Sequence, residues 1–253
     1  MEGDHLPWVE KYRPSSLDDV LAHQHIISTI NHLVESNSLP HLLFYGPPGT
    51  GKTSTILAVA QRLFGKATSS MVLEINASDD NGINIIRDQI KNFASTQKLF
   101  SKGIKLIILD EADNLSSDAQ SALRRVIEKY SSHTRFCLIC NYVSKIIPAI
   151  QSRCTRFRFA PLEHKHMTNR ISEIAKLENC TVTADGLDAL LKLSQGDMRR
   201  ILNIMQACVM AFPTVNADSV YNCTGKPHPE DVAVSCRLRK CLFCQVLLKL
   251  TRI

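Results

Sequence analysis

The sequence predicts an α/β protein: a parallel sheet with helices on both faces, followed by a small helical domain. Three observations carry this. Short apolar runs of strand length alternate with helix-length amphipathic stretches through the first 160 residues. That alternation is what a parallel sheet with crossover helices requires. The strand signals then stop at Pro161 while helical ones continue. Finally, 253 residues, 44% of them apolar, can bury a core of this size, and 21% charged residues with no long low-complexity stretch argue against disorder.

The elements follow in order. Residues up to Leu17 mix prolines, charges and aromatics and read as an extended arm. A helix is expected over 22–35, a strand over 41–45 (HLLFY), then a Gly/Pro loop and a helix over 52–64. The pattern repeats as strand 71–75, helix 83–98, strand 105–109, helix 117–130 and strand 135–140, and a last strand, 155–159, closes the series. Beyond the boundary near 160–161, helices are expected over 163–178, 184–193 and 198–211, with Thr183 or Asp185 and Asp197 as starts. The expected organisation is therefore an α/β domain with its arm over 1–160, a helical domain over 161–223, and a basic, cysteine-rich tail over 224–253.

Composition excludes several classes. The longest apolar runs, 106–109 and 136–140, are far too short to cross a bilayer as helices, and the opening residues lack the apolar centre of a secretory leader. An intracellular, soluble protein with no membrane partner is expected. Its nine cysteines, an odd number, should then stay reduced. Cys137 and Cys140 form a CxxC, but inside a strand that spacing points the two thiols to opposite faces, so core thiols are expected rather than a redox or zinc site. The net charge is +6, of which the tail, with six Lys/Arg against two Asp/Glu, contributes +4. Any nucleic-acid surface on the body must be a local patch.

Gly46-Pro47-Pro48-Gly49-Thr50-Gly51-Lys52-Thr53 fits GxxxxGK[ST] between an expected strand and an expected helix, the setting a phosphate-binding loop needs. Glycines let successive N–H groups turn toward phosphates, and the helix N-terminus adds a favourable dipole. Lys52 has the reach for the β- and γ-phosphates and Thr53 the hydroxyl for Mg²⁺. The apolar strand 106–109 ends in Asp110 and Glu111, which emerge where open α/β sheets bind ligands. Asp110 suits the metal, and Glu111 suits polarising an attacking water. Asn141 follows the next strand, as a γ-phosphate or water ligand or as a simple turn cap.

GPPGTGKT, LDEAD, the strand-end Asn141 and Ser152-Arg153-Cys154 together resemble the AAA+ clamp-loader ATPases. Leu6–Pro14 (LPWVEKYRP) is similar to the opening signature of replication factor C small subunits, 74–80 (EINASDD) nearly matches a further family motif, and 196–200 (GDMRR) matches the second-sensor motif of the lid. The resemblance runs from about Leu6 to Gly225. It implies an AAA+ P-loop fold with a helical lid, ATP and Mg²⁺ as cofactors, and a nuclear subunit of a hetero-pentamer that loads the sliding clamp PCNA onto primer-template DNA in replication and repair. It implies that Glu111, Lys52 and Asn141 serve hydrolysis, that Arg199 reads the nucleotide from the lid side, and that Val9, Tyr12 and Arg13 lie near the adenine. Arg153 would complete a neighbouring subunit's site in trans.

Arg87 and Lys91 share one helical face, and Arg124 lies on the next helix with Arg125 and Lys129. Such cations either track DNA phosphates without reading bases or simply solvate helix faces. The resemblance favours DNA for Arg87 and Arg124, and Gln120, at helical spacing from Arg124, is a candidate coupler to the strand-end carboxylates. The 224–253 segment does not resemble the family's collar domain, so an atypical, shortened C-terminus is expected. Cys236, Cys241, Cys244 and His228 make a poorly spaced zinc set. Two functional classes stay open: a working ATPase subunit, or a non-catalytic chain that binds ATP and partners without supporting clamp loading.

Overall fold

Strand alternation in the apolar runs decides the architecture. The computed structural model describes residues 6–14, 16–17, 22–36, 38–78, 83–95, 104–228 and 230–234, with backbone alone at 83–87. In chain order the elements are α1 (Trp8–Lys11), α2 (Gln24–Glu35), β1 (Leu42–Tyr45), α3 (Lys52–Phe64), α4 (Thr68–Met71), β2 (Val72–Asn76), α5 (Ile83–Ser95) and β3 (Lys105–Asp110). There follow α6 (Ser117–Tyr130), β4 (Thr134–Cys140), α7 (Pro148–Gln151), β5 (Thr155–Arg158), α8 (His164–Leu177), α9 (Ala184–Ser194), α10 (Met198–Ala211) and α11 (Ala217–Thr224). The five strands form one parallel sheet in the order β2-β3-β4-β1-β5.

Each central strand feeds two cores. Leu42 and Phe44 of β1, Leu106 and Ile108 of β3, and Cys137 and Ile139 of β4 pack on one face with α2 and α3. Leu43, Ile107, Leu109, Phe136, Leu138 and Cys140 pack on the other with α5 and α6. Strand period 2 buried on both faces is why these segments read as unbroken apolar runs. Cys137 and Cys140 therefore sit in opposite cores, both as buried thiols, and burial pushes the Cys140 thiol up to about 12.

The chain clusters into two units. One runs to Met167 and takes back Gly196–Arg199; the other holds Thr168–Gln195 and continues from Arg200. Within the second, Gly186 of α9 lies where an added Cβ would come 2.3 Å from the Val215 carbonyl oxygen, so only glycine permits this approach. Asn216 and Ser219 form a reciprocal capping box that starts α11.

Some local expectations change. The arm contains a helical turn, α1, because the Pro7 carbonyl accepts from the N–H groups of Glu10 and Lys11 while Trp8 is buried. The second strand begins at Val72, since Met71 closes the short α4. α11 was not anticipated among the helices, although its capping box is written in the sequence. Residues 96–98 of the helix expected over 83–98 lie outside the described residues. Among the described residues no helix is long and apolar enough to cross a membrane.

Candidate nucleotide site

The strand order brings the C-terminal ends of β3, β4 and β1 side by side. Asp110 ends β3, Asn141 follows β4, and the loop 46–51 follows β1. Three segments far apart in sequence thus meet at one edge of the sheet, the position at which open α/β sheets hold ligands.

The loop's conformation is one that glycine permits. Gly46, Gly49 and Gly51 have φ of +146°, +66° and +92°. A Cβ on Gly46 would stand 2.0 Å from the Phe159 carbonyl oxygen, and one on Gly49 would stand 1.6 Å from Asp197 Oδ1. Between these fixed points the loop is tied down by the Met198 N–H, which donates to the Gly49 carbonyl at 3.2 Å. The Thr50 hydroxyl donates to the Pro47 carbonyl at 2.9 Å, and Pro48 completes the turn.

Lys52, the first residue of α3, is 7% exposed. Its ammonium donates to the carbonyls of Gly46 and Pro47, both at 2.8 Å, and to Asn141 Oδ1 at 3.2 Å. Burial lowers its pKa, an effect that Asp110 opposes and the charge of Arg199 reinforces. A cation kept in a dry cradle by neutral acceptors is poised to meet an anion. Beside it the Thr53 hydroxyl donates to Asp110 Oδ2 at 2.7 Å. A hydroxyl and a carboxylate are hard oxygen ligands of the kind Mg²⁺ accepts. The residues fit a Mg-nucleotide, with Lys52 and the loop N–H groups toward phosphate and Thr53 with Asp110 toward the metal.

Glu111 adopts φ +51°, a left-handed conformation costly for a residue with a side chain. Three bonds hold it there. Its N–H donates to Asp110 Oδ1 at 2.8 Å, its carbonyl accepts from the Asn114 N–H at 2.9 Å, and Asn114 Nδ2 donates to Glu111 Oε2 at 2.9 Å. Asp113, 9% exposed, accepts from the Tyr142 N–H at 3.3 Å, directly beside Asn141. Asp113 and Asn114 thus position Glu111 and Asn141, roles that sequence reasoning missed. The signal was the acid-amide pair two and three residues after Glu111, within one helical turn.

The other candidate residues distribute as follows. Val9 lies in α1 and Tyr12 and Arg13 just after it, all half-buried; Trp8 meets the Tyr12 ring edge-on at 6.2 Å, and Arg13 pairs with Glu10 at 3.3 Å. Arg153 is held by the Ala149 carbonyl and by Glu128. Glu128 also receives Arg124 at 3.4 Å. Gln120 contributes to neither carboxylate: its amide donates to the carbonyls of Leu115 at 3.1 Å and Lys145 at 2.9 Å and accepts from the Ile147 N–H at 2.8 Å. Buried at 2% exposure, it braces α6 against the segment that follows Asn141.

Arg87 lies in α5, and its side chain is outside the described residues. Lys91 pairs with Asp88 at 3.9 Å and lines a groove of about 440 Å³ with Arg125, Lys129 and Tyr130 of α6. Lys91 therefore groups with Arg125 and Lys129, and Arg124 with Glu128 and Arg153. Cys236, Cys241 and Cys244 lie outside the described residues, while His228 stands 3.8 Å from Asp218 and against the Tyr221 ring.

Comparison with known proteins assigns the fold and the family. Residues 42–162 match the model for the ATPase family associated with various cellular activities (AAA). In structure the chain is similar to the Thermotoga maritima RuvB Holliday junction branch migration motor, with TM-score 0.64 over 85% of this chain and 72% of that one, at 17% identity, a likeness of fold. In sequence it is 60% identical over 229 residues to mouse replication factor C subunit 5, covering 90% of this chain and 68% of that protein. It is 56% identical over 227 residues to fission yeast replication factor C subunit 3, covering 90% and 66%. The chain spans about two thirds of the length of these relatives. With identity that high across nine-tenths of its residues, the chain belongs to the replication factor C small-subunit family of AAA ATPases.

Proposed function

We propose that the chain is an ATP-binding and ATP-hydrolysing subunit of a clamp loader, acting with other replication factor C subunits in a nuclear hetero-pentamer. That assembly would open the sliding clamp PCNA and place it on primer-template DNA. The observation that carries the reading is the convergence of Lys52, Thr53, Asp110 and Asn141 at one sheet edge. In its support stand the relatives named replication factor C subunits.

In this reading the residues divide the work. Mg²⁺, when bound with ATP, screens the phosphate charge and polarises the γ-phosphoryl group. Lys52 and the N–H groups of 46–51 hold the phosphates, and Thr53 and Asp110 hold the metal. Asn141 contacts the γ-phosphate, and Glu111 accepts the proton of the attacking water. Arg199 senses the nucleotide from the 161–223 lid, and Val9, Tyr12 and Arg13 border the base. Arg153 acts on the neighbouring subunit's nucleotide, so hydrolysis depends on assembly. Arg87, Lys91 and Arg124 follow DNA phosphates without reading sequence, which makes binding salt-dependent.

The test begins with the chain alone, titrated with a fluorescent ATP analogue and Mg²⁺. Saturable binding that Lys52→Ala abolishes is expected, and binding indifferent to that change would defeat the reading. Co-expression with the other subunits, size-exclusion chromatography, and ATPase assays with and without clamp and primed DNA then test assembly and loading.

A further inference from the structure

Away from the nucleotide site, two thiols of the second unit approach each other across a helix pair. Cys208, on α10, is buried, and its thiol donates to the Ser219 carbonyl of α11 at 3.6 Å. In an α-helix that carbonyl points toward the residue four positions on, which here is Cys223. Residues four apart share a helix face, so Cys223 stands over the surface that Cys208 reaches. Cys223 lies near enough to Cys208 to be among the groups that push the buried thiol's pKa up. Cys223 is exposed.

We propose that Cys208 and Cys223 are an oxidisable dithiol that closes to a disulfide joining α10 to α11. The exposed partner reacts first. The Cys223 thiolate attacks a hydroperoxide oxygen, the O–O bond breaks, and sulfenic acid and an alcohol (water, from hydrogen peroxide) form. Cys208 sulfur then attacks the Cys223 sulfur, the S–O bond breaks, and the hydroxyl leaves as water with the Cys208 proton. Two thiols are oxidised by two electrons and one hydroperoxide is reduced.

The asymmetry of the site sets the order and the rate. Cys208 is protected from the oxidant by burial, and the same burial, with the neighbouring thiol, pushes its pKa up to about 12. Closure is therefore slow at neutral pH and quickens as pH rises, because the thiolate is the attacking form. The product pins α11 immediately before Gly225, where the helix ends.

The experiment treats the full chain with hydrogen peroxide, quenches with an alkylating agent, and maps peptides without reduction. A 208–223 cross-linked peptide is expected, restored to two free thiols by dithiothreitol. The cross-link should raise Tm by roughly 5–10 °C, since it closes a short loop of the unfolded chain. Cys223→Ser, an exposed change that leaves the fold intact, should remove both the peptide and the rise. Cys208→Ser should leave Cys223 as a sulfenic acid that dimedone traps. Cys223 found linked to another cysteine, oxidised only to sulfinic acid, or unreacted would each overturn the proposal.

Discussion

The Thr53 hydroxyl donates to Asp110 Oδ2 at 2.7 Å, joining the first turn of α3 to the end of β3 across 57 residues of chain. The contact sets side by side the two oxygens proposed above to hold Mg²⁺. Thr53→Val keeps the shape and removes the oxygen. It should weaken ATP-analogue binding at least about tenfold in Mg²⁺ and much less in EDTA, as loss of one metal ligand requires. A fluorescence titration under both conditions checks this, and equal losses in the two would exclude a metal role for Thr53.

Gly49 illustrates a packing constraint on a loop. At φ +66°, with Asp197 Oδ1 1.6 Å from the place a Cβ would take, Gly49→Ala must both strain the backbone and displace Asp197. Gly225 has φ +62° and nothing within 4 Å of its Cβ position. Gly225→Ala should cost about 1 kcal/mol, the conformational part alone, whereas Gly49→Ala should cost at least about 2 kcal/mol. Urea unfolding of the two variants measures the difference.

Gln120 is expected to matter for stability out of proportion to its size. Gln120→Leu fills the space but leaves the Leu115 and Lys145 carbonyls and the Ile147 N–H without their partner. A loss of about 3 kcal/mol is expected, from buried polar groups deprived of hydrogen bonds. A urea midpoint within experimental error of the parent would show that those groups find other partners.

His41 should tie stability to acid pH. Desolvation, and the nearby charge of Arg135, hold its pKa down to about 4, against 6.5 for a free histidine, and its Nδ1 accepts from the Phe136 N–H at 3.2 Å. Folded chain therefore binds fewer protons than unfolded chain between these values. Stability is full above pH 6.5 and falls as pH drops toward 4, with a slope of at most about 1.4 kcal/mol per pH unit for one proton. His23, also lowered by burial, adds in the same direction. Tm measured from pH 7.5 to 4.5 should flatten in His41→Phe, whose stability at pH 7 should be lower by about 1 kcal/mol for the orphaned N–H.

Arg153 should be nearly silent in its own chain. Its pair with Glu128 is partly exposed, and Glu128 is shared with Arg124, so Arg153→Ala should change stability by less than about 1 kcal/mol. ATP-analogue affinity of the isolated chain should also be unchanged, because Arg153 does not touch the loop of its own site. A marked loss of affinity in the isolated chain would place Arg153 in cis.

The nucleotide loop was legible because its chemistry is local. Gly46 through Thr53 must be contiguous to curl around phosphate, and the strand ending in Asp110 and Glu111 announces itself by an apolar run cut off by charge. The two-sided burial of β1, β3 and β4 was equally plain, since period-2 strands covered on both faces leave no polar alternation. Groups that work through contacts distant in sequence were not legible. Asp113 meets the Tyr142 N–H, and Gln120 meets Lys145 and Ile147, only after β3 and β4 have been laid side by side. The expected alliance of Gln120 with the carboxylates gave way for the same reason: three backbone groups lay nearer and took its whole amide.

By itself the sequence determined the five strands and the longer helices α2, α3, α5, α6, α8, α9 and α10, the glycine loop between β1 and α3, and the opposite burial of Cys137 and Cys140, because each rests on spacing within a single element or turn. Tertiary structure alone decided which strands are neighbours, that Lys52 reaches Asn141, that Lys91 groups with Arg125 rather than Arg124, and that Cys208 reaches the Ser219 carbonyl of α11. Spacing along a chain specifies which way a side chain points from its own element. Which element it then meets follows from burying all the apolar faces at once, a condition no single segment contains.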